Sequence, residues 1–181
     1  MAKLGYKMSK IDINYWLKNI KYGQIRGQII LYCLDLMNKN YQMKKWLVDG
    51  DETSFRYNIH YAFEFLVEDL MEDYIDSNIV PSEQIGEYLK TENEATILLE
   101  VAKKLDKLVL SCRTNPEYLS SPYLSPMRKA AKECFAIFME NEKDNNEFCD
   151  FVLRVIEEEH HYIPDKKKTS YENIELFIKS V

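Results

Sequence analysis

The chain has 181 residues, 46% of them hydrophobic and 30% charged, and its thirty acidic and twenty-four basic side chains give a formal net charge of −6 at pH 7. Its thirteen tyrosines and eight phenylalanines exclude a disordered chain, because disordered segments are poor in large apolar side chains. The N-terminus has no apolar stretch of signal-peptide length, and the longest strongly apolar run, residues 29–34, is far too short to cross a membrane. These features predict a cytoplasmic globular protein that does not associate with membranes.

Four cysteines are spread along the chain. Cys33, Cys112, Cys134 and Cys149 show no Cys-x-x-Cys spacing and stand among apolar neighbours. Such cysteines are typical of buried free thiols in a reducing compartment. We therefore expect no disulfide, no metal and no other cofactor.

Apolar residues in the first part of the chain recur with helical spacing. Within residues 25–37 they follow the i, i+4, i+5, i+8 pattern of one buried helix stripe. The turn "GDETS" offers capping oxygens at Thr53 or Ser54 for a helix that we expect to run to about Ile75. Thr91 then begins a Thr-x-x-Glu capping box ahead of a long amphipathic helix.

Breaks in the second part are marked by proline, serine and charged residues. Residues 113–126 contain three prolines and three serines, which predicts a loop with no more than one helical turn. Ser125 and Pro126 have the order of an N-cap and a first helical position. The polar segment 140–146 is a candidate boundary, and a second Thr-x-x-Glu box starts at Thr169.

No stretch of the sequence shows sustained period-two alternation, so the predicted fold class is all-α. We expect a single compact bundle of about six to eight helices. Residues 1–140 would form its core domain. Residues 141–181 would form a C-terminal helical extension packed on that core.

The segment "YAFEFLVEDLMEDYID", residues 61–76, contains six carboxylates and no lysine or arginine, which equals the net charge of the whole chain. At about 100° per residue, all six fall within one half of a helix circumference. Like charges at i, i+4 cost stability, and interspersed lysines would have removed that cost. We call this half the acidic face, and its carboxylates are Glu64, Glu68, Asp69, Glu72, Asp73 and Asp76.

The acidic face has two interpretations. It is either a solvated surface that keeps the protein soluble or a surface that binds a partner, with Tyr61 and Phe65 projecting between the carboxylates as aromatic anchors. A binding surface of this kind would attract a basic protein and repel nucleic acid. We therefore predict a non-enzymatic module that covers a basic protein surface. A helical scaffold that forms homodimers through exposed tyrosines is an alternative.

The histidines are weaker candidates for chemistry. His60 and Glu64 have the i, i+4 spacing of a helical metal-ligand pair, but the sequence assigns no further ligand.

The spacing of Arg154 and His160 resembles the arginine-to-histidine motif of HEPN-type ribonucleases. In that family the arginine stabilises charge at the scissile phosphate, and the histidine assists attack by the 2′-hydroxyl. Three glutamates inside this motif disfavour phosphate binding, so the ribonuclease is an alternative and no catalytic residue is assigned.

Several landmarks follow one another between about Tyr22 and Phe138. After an amphipathic helix they are Tyr41 to Trp46, a polar turn, Ile59-His60 with Phe63, Ile85-Gly86 with Leu89 and Glu94, and a "PEYL" segment. This order resembles a small bacterial all-α family of unassigned biochemical function. The resemblance implies an all-α domain without known catalytic residues. By analogy of fold and charge, it also implies the character of an immunity protein, which blocks a toxin domain delivered in contact-dependent inhibition.

Overall fold

The computed structural model describes residues 23–45 and 59–181, and these residues form helices without a named strand. The predicted fold class, all-α, is confirmed. None of the described helices is long and apolar enough to cross a bilayer. The predicted caps Thr53 and Ser54 and the landmark Trp46 lie outside the described residues.

The helices are α1 (Gly23–Met37), α2 (Lys39–Gln42), α3 (Ile59–Phe63), a π-helix (Glu64–Asp69), α4 (Glu72–Ser77), a 3-10 helix (Ser82–Gln84), α5 (Glu92–Ser111), α6 (Asn115–Ser120), α7 (Leu124–Glu140), α8 (Asn146–His160) and α9 (Ser170–Ser180).

Helix α1 is buried on almost every side. The sequence predicted one buried stripe, but Ile25 of that stripe is 37% exposed, while Leu31 and Leu34 outside it are 4% and 0% exposed. The physical reason is that apolar side chains occupy most of the α1 circumference and its Arg26 is also buried, so neighbouring elements cover nearly all of the helix. The prediction of a single stripe is therefore wrong.

Helix α7 packs against both α1 and α5, and α8 packs against α9. One hydrophobic cluster includes Ile29 of α1 and Phe135 of α7 together with Phe151 and Phe177 of the last two helices. Side chains from the predicted core domain and from the predicted extension therefore share the same apolar interior.

A buried ion-pair network joins α1, the start of α5 and the segment after α7. Arg26 and Glu94 are both 0% exposed, and the Arg26 Nη1 and Nη2 atoms each donate to a different Glu94 carboxylate oxygen at 2.7 Å. Arg26 Nε donates to Glu142 Oε1 at 2.6 Å, and Lys90 Nζ lies 2.8 Å from the same oxygen. Asn141 Nδ2 donates to Glu94 Oε1 at 2.7 Å. Two cations thus face two carboxylates, with Arg26 fully buried and Lys90 at the edge of the network, where 22% of its side chain is exposed.

The contacts of the network favour the charged forms of Arg26 and Glu142. Burial alone would lower the pKa of Arg26, but the hydrogen bonds that Arg26 donates to Glu94 and Glu142 and the attraction to their charges outweigh it, so the pKa is raised. Burial would likewise raise the pKa of Glu142, yet hydrogen bonds from Lys90 and Arg26 lower it. Because Glu142 lies within residues 140–146, that segment is anchored to α1 and does not separate two independent units.

Several helix boundaries follow local capping chemistry. Thr91 accepts the Glu94 N–H as its predicted N-cap, but the Glu94 carboxylate turns inward and does not close the capping box. The box at Thr169 is complete. Residues 113–126, predicted as a loop, contain α6, whose N-cap Thr114 closes a further box. The predicted N-cap Ser125 is wrong, because α7 already begins at Leu124.

The four thiols are free and differ in exposure. Cys33, Cys134 and Cys149 are buried, and burial raises the pKa of Cys149 to about 11 and that of Cys134 well above its usual range. Cys112 ends α5 and is half-exposed, so the expectation of four buried cysteines is wrong there.

The folded protein is therefore expected to react with a thiol-specific disulfide reagent mainly at Cys112. The three other thiols should react only after denaturation, because their sulfur atoms are buried and out of reach of the reagent. Counting the thiols that react at pH 8, with and without denaturant, checks this. The variant Cys112→Ser should lose the fast phase. Fast reaction of a second thiol in the native parent would contradict the described packing.

Candidate protein-binding surface

The acidic segment is not one regular α-helix. It consists of α3, the π-helix Glu64–Asp69 and α4, with a break at Leu70 and Met71. A π-helix bonds i to i+5, so each turn takes more residues than an α-turn and the spacing at 100° per residue no longer applies. The predicted regular i, i+4 spacing of like charges along residues 61–76 is therefore wrong.

All six carboxylates of the acidic face are nonetheless exposed. Within residues 23–45 and 59–181, no lysine or arginine forms an ion pair with any of them. Lys103, on the neighbouring helix α5, donates instead to the side-chain oxygen of Asn78, at the end of α4. No cation of the described part of the fold therefore pairs with the acidic face.

Three of these carboxylates lie on α4, and the position of each along the helix determines its effect on helix stability. Glu72 and Asp73 lie in its first turn, where the positive end of the helix dipole favours carboxylates. Asp76 lies in the last turn, where the dipole disfavours a negative charge. The stability of α4 thus accounts for the presence of a carboxylate at Glu72 and Asp73 but not at Asp76.

A seventh carboxylate, Asp106 on α5, adjoins the acidic face. Burial raises the pKa of Asp106, and repulsion from Asp76 raises it further. The sequence did not single out Asp106, because the charged side chains of α5 are of both signs and form no acidic cluster along the chain. Its proximity to Asp76 means that two chain segments concentrate negative charge at one place.

The two predicted aromatic anchors do not project from the acidic face. Tyr61 and Phe65 are half-buried and pack against the core, and the Phe65 ring centroid lies 5.4 Å from that of buried Tyr32. Packing large rings on α1 removes more apolar surface from water than leaving them among carboxylates would. A different apolar side chain is exposed here, namely Ile79, which is 59% exposed and directly follows the left-handed Asn78 that caps α4.

The charges at the two ends of α4 are expected to affect stability differently. Asp76→Asn should raise the free energy of unfolding by about 0.3–1 kcal/mol, because it removes a charge from the unfavourable end of the dipole. Asp73→Asn makes the same change in net charge at the favourable end and should lower the free energy of unfolding. Urea denaturation of both variants measures the difference. Equal changes in the free energy of unfolding for the two variants would contradict the prediction, because they would show that stability depends on the net charge and not on the position along α4.

The structure places Arg154 and His160 in different surroundings. Arg154 is exposed on α8, whereas the His160 side chain is 0% exposed and stacks on Tyr41 with ring centroids 4.5 Å apart. Asn38 Nδ2 lies 3.0 Å from His160 Nδ1, and His160 Nε2 lies 3.2 Å from Asp35 Oδ1. A substrate phosphate has no access to a histidine held in this way, so this geometry gives the ribonuclease alternative no support.

The other histidine candidate is also partnered by protein groups. The hydroxyl of Tyr118 lies 3.4 Å from His60 Nε2, and the two rings meet edge to face. No group of three or more histidine, cysteine, aspartate or glutamate side chains in the described ranges is arranged to hold a metal ion.

Comparison of the chain with protein-family models, with curated proteins and with solved structures gives no match. The resemblance to a bacterial immunity-like family therefore stays a prediction. The arguments for function depend on the geometry of the acidic face.

Proposed function

We propose that this chain is a protein-binding module whose acidic face covers a basic surface of another protein. The observation that supports it is the exposure of six carboxylates without a lysine or arginine partner in the described part of the fold. A charged face that only kept the protein soluble would be more stable with interspersed cations, because each opposite-charge neighbour replaces a repulsion by an attraction.

The chemistry of the face defines the partner. Lysine and arginine side chains would pair with the carboxylates, and long-range attraction would accelerate the encounter. Ile79 offers a small apolar contact at the edge of the charged area. An enzyme that binds nucleic acid presents such a cationic surface at its active site. The more specific proposal is therefore an immunity-type inhibitor that blocks a toxin nuclease by occluding that surface.

A comparative capture experiment tests the proposal. The parent chain and a variant with the acidic face reversed in charge are immobilised and exposed to a lysate of the cells that encode the chain. The parent should retain a basic protein that the variant does not, and the retained protein should elute as the salt concentration rises. Identical sets of captured proteins for parent and variant would refute the proposal.

A further inference from the structure

A pocket on other elements of the fold is rich in positive charge although the chain as a whole is acidic. It has a volume of about 410 Å³ and lies where the end of α1 and helix α2 meet the first part of α7 and the end of α9. Its lining includes Lys39, Arg128, Lys129 and Lys132 and no aspartate or glutamate side chain. Neither the acidic face nor Asp106 contributes to it, so the pocket needs an explanation beyond the proposed function.

Arg128 is held in place by a chain of buried hydrogen bonds. The Gln42 side chain is 0% exposed and donates through Nε2 to the carbonyl oxygens of Asp35 and Leu36 at 3.2 and 2.6 Å. Its Oε1 atom accepts a hydrogen bond from Arg128 Nε at 2.6 Å. The end of α1 thereby fixes the guanidinium of Arg128 and leaves its two terminal nitrogens for another partner.

No aspartate or glutamate among the described residues balances the positive charge of the pocket, since none of them pairs with Lys39, Arg128 or Lys129. Lys132 differs, because it already donates to the main-chain oxygen of Val181, the last residue of the sequence, at 2.6 Å. Burial lowers the pKa of Arg128, which is the direction expected for a desolvated cation without an anionic neighbour.

We propose that this pocket binds the phosphate group of a small phosphate-bearing molecule. A guanidinium fixed through Nε presents its remaining N–H groups to two oxygens of one phosphate, a geometry that lysine alone cannot supply. Lys39 and Lys129 are exposed at the pocket and add positive charge from two directions. The volume is within the range of pockets that hold ligands of nucleotide size.

Calorimetric titration with inorganic pyrophosphate and with adenosine monophosphate tests the proposal. The parent should bind at least one of these probes saturably at one site in 150 mM salt. Arg128→Gln should weaken that binding at least tenfold. Because Arg128 contacts Gln42, a second variant that combines Lys39→Gln with Lys129→Gln changes only exposed side chains and should also weaken binding at least tenfold.

Lys167→Gln provides a control, since it removes one charge from the exposed loop at residues 165–168, outside the pocket lining. It should leave binding unchanged. The absence of saturable binding to both probes would overturn the proposal. An equal loss of affinity in Lys167→Gln would also overturn the proposal, because it would show that the probes are attracted by surface charge in general and not by the pocket. Binding of a single-stranded RNA oligomer but of neither probe would mean a nucleic-acid surface and would also overturn it.

Discussion

Replacing Glu94 with glutamine is expected to lower the free energy of unfolding by about 3–5 kcal/mol, because removing one partner leaves an uncompensated buried charge. Both Glu94 oxygens accept from Arg26 at 2.7 Å, and the two side chains are 0% exposed. In the variant, an amide NH₂ would face the donor groups of Arg26 or Asn141. Urea denaturation followed by circular dichroism measures the change.

Glu87→Gln is the matched control for this experiment. Glu87 is exposed, and no ion pair or side-chain hydrogen bond is described for it. An exposed substitution of this kind usually changes stability by less than about 0.5 kcal/mol. A loss below about 1 kcal/mol in Glu94→Gln would mean that the Arg26 network does not carry charge in the folded state.

Local sequence patterns predicted the all-α fold class and several helix starts, but not the network that joins the helices. Thr91 and Thr169 marked helix starts correctly, because a capping interaction involves residues only three positions apart. The partners of Arg26 lie 68 and 116 positions away, and no local pattern contains that information. Glu94 was assigned to a capping box for the same reason, since its neighbours along the chain gave no sign of Arg26.

The acidic face was predictable in composition but not in detail. Helical spacing at about 100° per residue placed the six carboxylates together on a solvent-facing half, and the structure has all six exposed. The π-helix changed the rotation per residue, and that change depends on packing that no spacing rule includes. The pocket around Arg128 was also missed, because its cations come from distant segments, whereas the basic run at residues 165–168 forms an exposed loop.

Reversing the charge of Glu68, Glu72 and Asp73 to lysine is expected to weaken partner binding at least 100-fold. Each reversal turns an attraction across the interface into a repulsion, and charged contacts of this kind are worth roughly 2–5 kcal/mol when disrupted. The loss of 100-fold corresponds to about 2.7 kcal/mol. The overall fold should be kept, because all three side chains are exposed and have no ion-pair partner in the described part of the chain. Lysine at positions 72 and 73 replaces a favourable interaction with the α4 dipole by an unfavourable one, so a small loss of stability confined to α4 is expected.

A second triple variant separates the acidic face from total charge. Glu87, Asp144 and Glu158 are exposed carboxylates outside the face, and lysine at these positions makes the same change in net charge. Since each reversal adds two positive charges, both triple variants bring the formal net charge from −6 to zero. The control should bind the partner within about threefold of the parent, because distant surface charges are largely screened at physiological salt.

Titration calorimetry of the captured partner against the parent and the two triple variants tests the central claim most directly. We expect the variant at Glu68, Glu72 and Asp73 to lose at least 100-fold in affinity at 150 mM salt while the control triple keeps its affinity. Equal affinities for the two triple variants would contradict the claim that the acidic face is the binding surface.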